Sequence, residues 1–535
     1  MKIASAKKKN FIFGLAMGIM LLLQLLCLFY FGSRKTGFHE DELYTYYSTN
    51  KTAGLSVSDR QWMERDALRN DFVVLEGEQF RYGVVKQMQS WDVHPPFYYY
   101  IFHTVCSLFP GVFSKWLGIG VNLIAYAVCY GLLAYGVYLA VSSRAEILSF
   151  VTCLAWGFSA AVISGVMFIR MYQWLTLFIL LCMDLHLRAW KKQDFGAKSF
   201  LLPLGITVFF GFLTQYYYII FHFFMGAGFC FLLMRGKKWK ELFHYVLACA
   251  AGLGLAICYY PASLSHIFRG YRGTEAVAEF GNASNTWERL RFFGGLFNDY
   301  VMNGTVSVWL LLICIIAVSA GYFRKREGVR GQVMNDAIGL LMFTCAGYFF
   351  TVSKTALVLG ETSNRYQLPI YGILLFLILY FVWMPVAELI EKKQTGNRIF
   401  GVLTAALVFG VAVMDGTALQ NGKVFFLYEE EREVMEFVKE HRDEPVVVFY
   451  NEASSDNIWR LSDELMEYPK VYLASQGNPE PISDEIITES ESLLVYVADY
   501  EDKEACLKGL LEINKKVGGY KMIAEKGLWT LYELR

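Results

Sequence analysis

The chain has 535 residues, 55% hydrophobic and 18% charged, with 49 Lys+Arg against 49 Asp+Glu. Zero formal net charge gives no electrostatic reason to expect a nucleic-acid partner. Charge is so sparse between about residues 95 and 420 that a soluble enzyme and a disordered chain are both excluded.

Runs of roughly 18 or more apolar residues read as bilayer spans, because lipid offers the backbone no hydrogen-bond partners. The opening MKIASAKKKN carries four lysines and enters an apolar run from about Phe11 to Gly32. That run is too long for a signal peptide and no cleavage site follows, so it is expected to be an uncleaved first span with a cytoplasmic N-terminus. Residues 33–94 then form a large outer loop. In it, Trp62, Met63, Leu68 and Val73–Leu75, interleaved with Arg60, Arg65 and Arg69, predict an amphipathic segment lying on the membrane surface.

Basic clusters orient the rest. Lys191–Lys192; Arg235, Lys237, Lys238 and Lys240; Arg324, Lys325, Arg326 and Arg330; and Lys392, Lys393 and Arg398 all belong in the cytoplasm by the positive-inside rule. The connections at Thr214–Tyr218, Ser263–Asn303 and Leu359–Tyr366 then face out. Pro95–Phe109 is short for a crossing, and parity makes it dip in and return or line the outer leaflet. The expected total is about eleven crossings at roughly 20 residues each, ending outside.

From about residue 420 the pattern changes. Glu429–Glu440 and Asp456–Met466 read as helices, Lys503–Lys515 as another. Val446–Tyr450, Val471–Ala474, Leu493–Ala498, Tyr520–Ala524 and Leu528–Leu534 read as strands. This alternation predicts a small α/β layer domain outside the cell. The fold class is thus an α-helical polytopic membrane protein with a C-terminal extracytoplasmic α/β domain. The expected domains are 1–419, including the loop 33–94, and 420–535. No Gly-rich phosphate loop occurs in the tail. Of 11 cysteines, ten lie in or beside apolar runs and no CxxC pair occurs, so no disulfide framework is expected.

Polar residues gather at the outer membrane boundary. They are His39-Glu40-Asp41-Glu42 after the first span, Asp92-Val93-His94-Pro95-Pro96 at the end of the first loop, and Arg170-Met171-Tyr172 at a span start. The last outer loop adds Glu361-Thr362-Ser363-Asn364-Arg365-Tyr366. Ionisable groups at membrane depth usually face a cavity or pathway. Acids and cations together there suggest a reaction on a lipid-borne phosphate: a carboxylate to deprotonate a nucleophile, an arginine to neutralise a departing phosphate. The tyrosines Tyr98–Tyr100 and Tyr216–Tyr218 read as an interfacial belt, and Trp287, Arg289 and Arg291 as an interfacial helix. His39 and His94 have no set ligand spacing, so a divalent metal is not argued and no cofactor is assigned.

In order and spacing, Asp41-Glu42, Asp92-x-His94-Pro95-Pro96, Arg170-x-Tyr172 and Arg365-Tyr366 resemble the C-type (GT-C) membrane glycosyltransferases. The match is to the branch holding protein O-mannosyltransferases and lipid A aminoarabinose transferases, over about residues 10–415. The resemblance implies a polytopic fold with an outward cavity, a polyprenyl-phosphate sugar donor, and inversion at the anomeric carbon. The sequence departs from the commonest family wording before Arg170, where Val166-Met167-Phe168-Ile169 replaces a polar stretch containing an acid.

The expected activity is transfer of a sugar from polyprenyl phosphate to an extracytoplasmic acceptor, whether protein, lipid or envelope glycan. Asp41 is the expected base, with Glu42 second. Arg365, supported by Arg170 and His94, would bind the donor phosphate. Asp92, Glu361, Tyr172 and Tyr366 would position the acceptor or these cations. The rival readings are a transporter or flippase of a lipid-linked sugar, which should show symmetric halves or broken helices, and a structural membrane subunit.

Overall fold

Each long apolar run folds as a helix, the open-chain form whose backbone hydrogen bonds close within the segment. The computed structural model describes the backbone of residues 2–51, 57–141, 144–327, 334–391, 396–499 and 502–535. Arg330, Lys392 and Lys393 of the expected cytoplasmic clusters lie outside these residues. Eight described helices are long and apolar enough to cross a membrane: Phe11–Arg34, Lys115–Ala140, Ala197–Thr214, Tyr217–Arg235, Trp239–Tyr259, Asp336–Thr355, Leu368–Ala387 and Phe400–Gln420. A ninth arises if Ala145–Gly157 and Ala160–Met167, bent by 58°, count as one span. The protein is therefore a multi-pass membrane protein, with fewer spans on this measure than the eleven expected. Tyr172–Lys192, which carries buried Asp184 and His186, and the apolar stretch Val306–Tyr322 fall short of it.

The chain divides into two compact units. One comprises Met1–Gly32, Gln89–Tyr98 and Gly118–Phe425; the other comprises Ser33–Met88, Tyr99–Leu117 and Phe426–Arg535. In chain order the elements used below are α1 (Lys2–Arg34), α2 (Glu40–Asn50), β1 (Gln61–Glu64), α3 (Arg65–Arg69), α4 (Tyr82–Trp91), α5 (Phe97–Leu108), α6 (Lys115–Ala140), α7 (Ala145–Gly157), α8 (Ala160–Met167) and α9 (Tyr172–Lys192). α5 has 12 residues, roughly 18 Å at 1.5 Å per residue, too short to cross.

The second unit holds a six-stranded sheet. Its later strands are β2 (Val446–Tyr450), β3 (Lys470–Ser475), β4 (Leu493–Ala498), β5 (Tyr520–Lys526) and β6 (Trp529–Leu534), in the order β1-β3-β2-β4-β6-β5. The central β3, β2 and β4 are parallel. All five residues of β2 and all six of β4 are buried, as continuous apolar runs in parallel strands require. Val447, Val495 and Leu493 pack with Leu507 and Leu510 of the helix Lys503–Ile513. β5 and β6 form an antiparallel hairpin whose tight turn uses Gly527 at φ +60°.

The outer loop departs from expectation at residues 60–69. Gln61–Glu64 is an edge strand, antiparallel to β3, with Trp62 opposite Tyr472 and Met63 opposite Val471. Trp62 stacks edge-on against Tyr472 at 5.3 Å and donates its indole N–H to Asp484 at 2.8 Å. Its apolar surface is therefore spent on the sheet rather than on lipid. Residues 33–88 fall into one unit with the C-terminal sheet. Of the six tyrosines expected as an interfacial belt, Tyr98, Tyr99 and Tyr218 are fully buried, while Tyr100, Tyr216 and Tyr217 are partly exposed.

Candidate active site

In the first unit the site grows from a break between α8 and α9. Ser159 starts α8 by accepting the Val162 N–H, a serine N-cap. The helix stops at Met167, Phe168 is extended, and α9 resumes at Tyr172. Two residues one turn apart on α6 hold this break. Gly118 lets Ile169 lie against its bare face, where a Cβ would stand 2.1 Å from the isoleucine side chain. Asn122, fully buried, donates its amide to Val166 O (3.1 Å) and Phe168 O (2.7 Å). The Val166 carbonyl lies in the last turn of the helix, where no intrahelical partner remains, and the Phe168 carbonyl also accepts the Arg170 N–H at 2.7 Å.

Arg170 meets His94, and His94 meets Asp92. The Arg170 Nη2 lies 3.0 Å from His94 Nε2, and His94 Nδ1 lies 2.7 Å from an Asp92 oxygen. Tyr260 donates its hydroxyl to the His94 carbonyl at 3.3 Å. Burial by itself would push the Asp92 carboxyl up; the charge and hydrogen bond of His94, with the charge of Arg170, outweigh it and hold Asp92 at about 2. The acid missing beside Arg170 in the sequence is thus supplied from 78 residues upstream, through a histidine.

Arg365 sits in a short 3-10 helix, Thr362–Tyr366. Its guanidinium carbon is 5.1 Å from the Phe168 ring centre, 5.2 Å from Tyr366 and 6.0 Å from Tyr172. These are cation–π distances, and such contacts strengthen with desolvation. Tyr366 is itself flanked edge-on by Tyr172 at 5.7 Å and Tyr217 at 5.8 Å. Its carbonyl accepts from Tyr348 at 3.1 Å. Both arginines are nearly enclosed, with 4% exposure at Arg170 and 6% at Arg365. Phe168 explains the apolar wording before Arg170: it is the face on which Arg365 rests. Glu361 is not brought to this box. It is exposed and accepts from the Tyr300 hydroxyl at 2.8 Å. Arg289 is also diverted, donating to the carbonyls of Ser353 and Ala356 at the end of the helix Asp336–Thr355.

Asp41 and Glu42 belong to the second unit, on the first turn of α2, and their surroundings differ. His39 caps the helix: its Nδ1 accepts the Asp41 N–H at 3.0 Å, and its own N–H donates to Glu42 Oε2 at 2.7 Å. The same oxygen receives the Lys35 ammonium at 2.8 Å, and Lys35 also donates to the Phe426 carbonyl. Neither the Lys35 nor the Glu42 side chain is exposed, while Asp41 keeps 32% of its side chain accessible. Burial pushes the Lys35 ammonium down and the Glu42 carboxylate partly restores it. Glu42 is therefore a lock on the start of α2. At the start of the same helix Glu40 pairs with Arg460 at 2.6 Å, and further along Tyr44 and Tyr47 flank Trp459 at 4.7 and 5.1 Å. The C-terminal sheet's connection thus grips the helix that bears Asp41.

Sequence reasoning missed Asn122, Gly118, Phe168 and Lys35. A buried-looking Asn and a Gly four residues apart in an otherwise apolar span were the available signal. Among the described residues one group has the proximity to hold a metal: His441, Glu444 and Glu533 in the tail. Arg535 already contacts Glu533 there at 2.5 Å.

No protein-family model matches the chain, and no curated protein matches it. Solved structures do. The lipid A aminoarabinose transferase ArnT from Cupriavidus metallidurans bound to undecaprenyl phosphate superposes with a TM-score of 0.53 at 11% identity, over 96% of this chain and 97% of that one. Its apo form gives 0.52 at 10%, over 99% and 98%. The oligosaccharyltransferase AglB from Archaeoglobus fulgidus, in complex with an inhibitory peptide and a dolichol-phosphate, gives 0.45 at 9%, over 98% and 74%. From end to end, this chain has the fold of the C-type membrane glycosyltransferases.

Proposed function

We propose that the protein transfers a sugar from a polyprenyl phosphate to an acceptor outside the cytoplasm, with inversion at the anomeric carbon. One observation carries the reading. Two enclosed arginines, Arg170 and Arg365, are gathered around the 168–172 break before α9, in a fold whose similar structure ArnT holds undecaprenyl phosphate. Buried cations with few competing waters suit a lipid-borne phosphate.

In this reading Asp41 takes the proton of the acceptor hydroxyl. The oxygen attacks the anomeric carbon from the face opposite the phosphate, and the bond from that carbon to the phosphate oxygen breaks. Negative charge then grows on the departing phosphate, where Arg365 is preorganised to receive it. Arg170, set by His94 and Asp92, supports the same charge. Glu42 serves the helix rather than the proton transfer. The termini follow the basic clusters, N-terminus in and C-terminal unit out. The acceptor is a protein, a lipid or an envelope glycan.

The test is transfer of radiolabelled sugar from polyprenyl phosphate to envelope acceptors in proteoliposomes. Label that moves across the bilayer still attached to its lipid would favour the flippase reading instead.

A further inference from the structure

The second unit contains a cleft of about 470 Å³ that the reaction above does not use. We propose that it binds the phosphate-bearing headgroup of an anionic membrane lipid. The proposal rests on the membrane embedding of the chain and is independent of the glycosyl-transfer reading.

Position comes first. One wall contains Thr36 and Phe38, two and four residues past Arg34, where the first span ends; another contains Gly111, Val112 and Phe113, just before the span that starts at Lys115. At no more than roughly 3.6 Å per residue, Thr36 and Phe113, each two residues from a span end, lie within about 7 Å of it. That is the depth of lipid headgroups.

Chemistry agrees with position. Phe38 and Phe113 stack at 5.2 Å and, with Met435 and Met466, make an apolar wall. Facing it are Arg65, Arg69 and Lys439. Arg65 is fixed by bonds to the carbonyls of Tyr468 (2.9 Å) and Glu467 (2.5 Å). Arg69 has only an exposed i,i+3 pair with Asp66 at 2.9 Å, a contact worth little and easily redirected. No carboxylate among the described residues pairs with Lys439. Two carboxylates also line the cleft, but Asp463 is held by Lys526 at 3.2 Å, leaving three cations against Glu467. Beside it, Lys115 experiences the like charges of Lys35, Arg432 and Lys439. An apolar wall, a surplus of cations and headgroup depth together select an anionic amphiphile; a neutral headgroup would leave that repulsion unrelieved.

The experiment uses full-length protein in phosphatidylcholine proteoliposomes with a photoreactive phosphatidic acid carrying its diazirine near the headgroup. Adducts should appear on the peptides containing Gly111–Phe113 and Arg432–Lys439, and unlabelled phosphatidic acid should compete. Lys439→Glu, at an exposed site, with Arg69→Glu, at a half-buried one, should lower labelling of these peptides at least fivefold while labelling of the span peptides stays. Val112→Trp, which fills the cleft without altering charge, should do the same. Undiminished labelling in these variants, or equal labelling of the same peptides by a phosphatidylcholine probe, overturns the proposal. Competition by inorganic phosphate as strong as that by phosphatidic acid overturns the lipid assignment.

Discussion

Arg170 and His94 are joined at 3.0 Å through Nη2 and Nε2. His94 Nδ1 in turn lies 2.7 Å from an Asp92 oxygen, so one imidazole ring bridges the arginine and the carboxylate.

The first prediction concerns pH. Asp92 is held at about 2, below the ordinary aspartate value of about 3.9. Its contribution to stability is present above pH 4 and lost as pH falls through about 2. Between pH 4 and 8 Asp92 stays a carboxylate throughout. Asp92→Asn should therefore lower the rate without abolishing an acid limb in that range. Loss of the limb in this variant would show that Asp92 titrates there.

The two acids on α2 should separate cleanly. Asp41→Asn should lose roughly 10²–10⁴-fold in transfer rate with thermal stability near wild type, the usual worth of a general base. Glu42→Gln leaves Lys35 buried without its counter-charge, and breaking such a pair costs about 3–5 kcal/mol. It should appear first as a lowered melting temperature in detergent. Equal stability in the two variants would contradict the assignment of Glu42 as a lock.

Arg365→Lys keeps a charge but gives up the planar fork and the ring contacts with Phe168, Tyr172 and Tyr366. Single-turnover transfer at saturating donor should fall by roughly 10²-fold or more, the scale of one preorganised donor to a developing anion. Arg365→Ala should fall further. Near-normal transfer by the lysine variant would leave Arg170 as the phosphate residue.

Gly118→Val and Asn122→Leu act at a distance of one helix packing layer. Valine must displace Ile169, which a Cβ already meets at 2.1 Å, and leucine abandons two carbonyls at the break. Both shift Arg170 without touching it. A misplacement of about 1 Å can cost on the order of 10²-fold in rate. Transfer kinetics with expression and folding checked would decide, and normal turnover in Gly118→Val would show that the break tolerates the shift.

The second unit buries Lys526 among Glu431, Asp463 and Glu464, at 3.0, 3.2 and 2.9 Å. Burial pushes Glu431 up to about 7 in spite of the lysine. In Lys526→Met, Glu431 and Glu464 lose their counter-charge and rise further above their unfolded values. The folded state then binds more protons than the unfolded one, so stability should increase as pH falls from 8 to 5. A variant whose melting temperature is flat across that range would refute the network.

The sequence by itself determined the membrane class and most of the tail. Span-length apolar runs leave lipid as the environment for which they fit, and Val446–Tyr450 and Leu493–Ala498 have the apolar continuity of strands buried on both faces. It also singled out the polar residues of the candidate site, because charges are conspicuous against an apolar background. Which of them meet was decided by tertiary structure. Asp92 and Arg170 are 78 residues apart in sequence, and their link through His94 depends on the α8–α9 break that Gly118 and Asn122 of another helix hold open. The roles of Asp41 and Glu42, adjacent in sequence, were separated by the fold alone: on the first turn of a helix neighbouring side chains point in directions about 100° apart, one left accessible and the other enclosed against Lys35. Trp62 shows the same limit from the other side, since an edge strand and a surface-lying segment share an amphipathic pattern until a partner strand, here β3, is known.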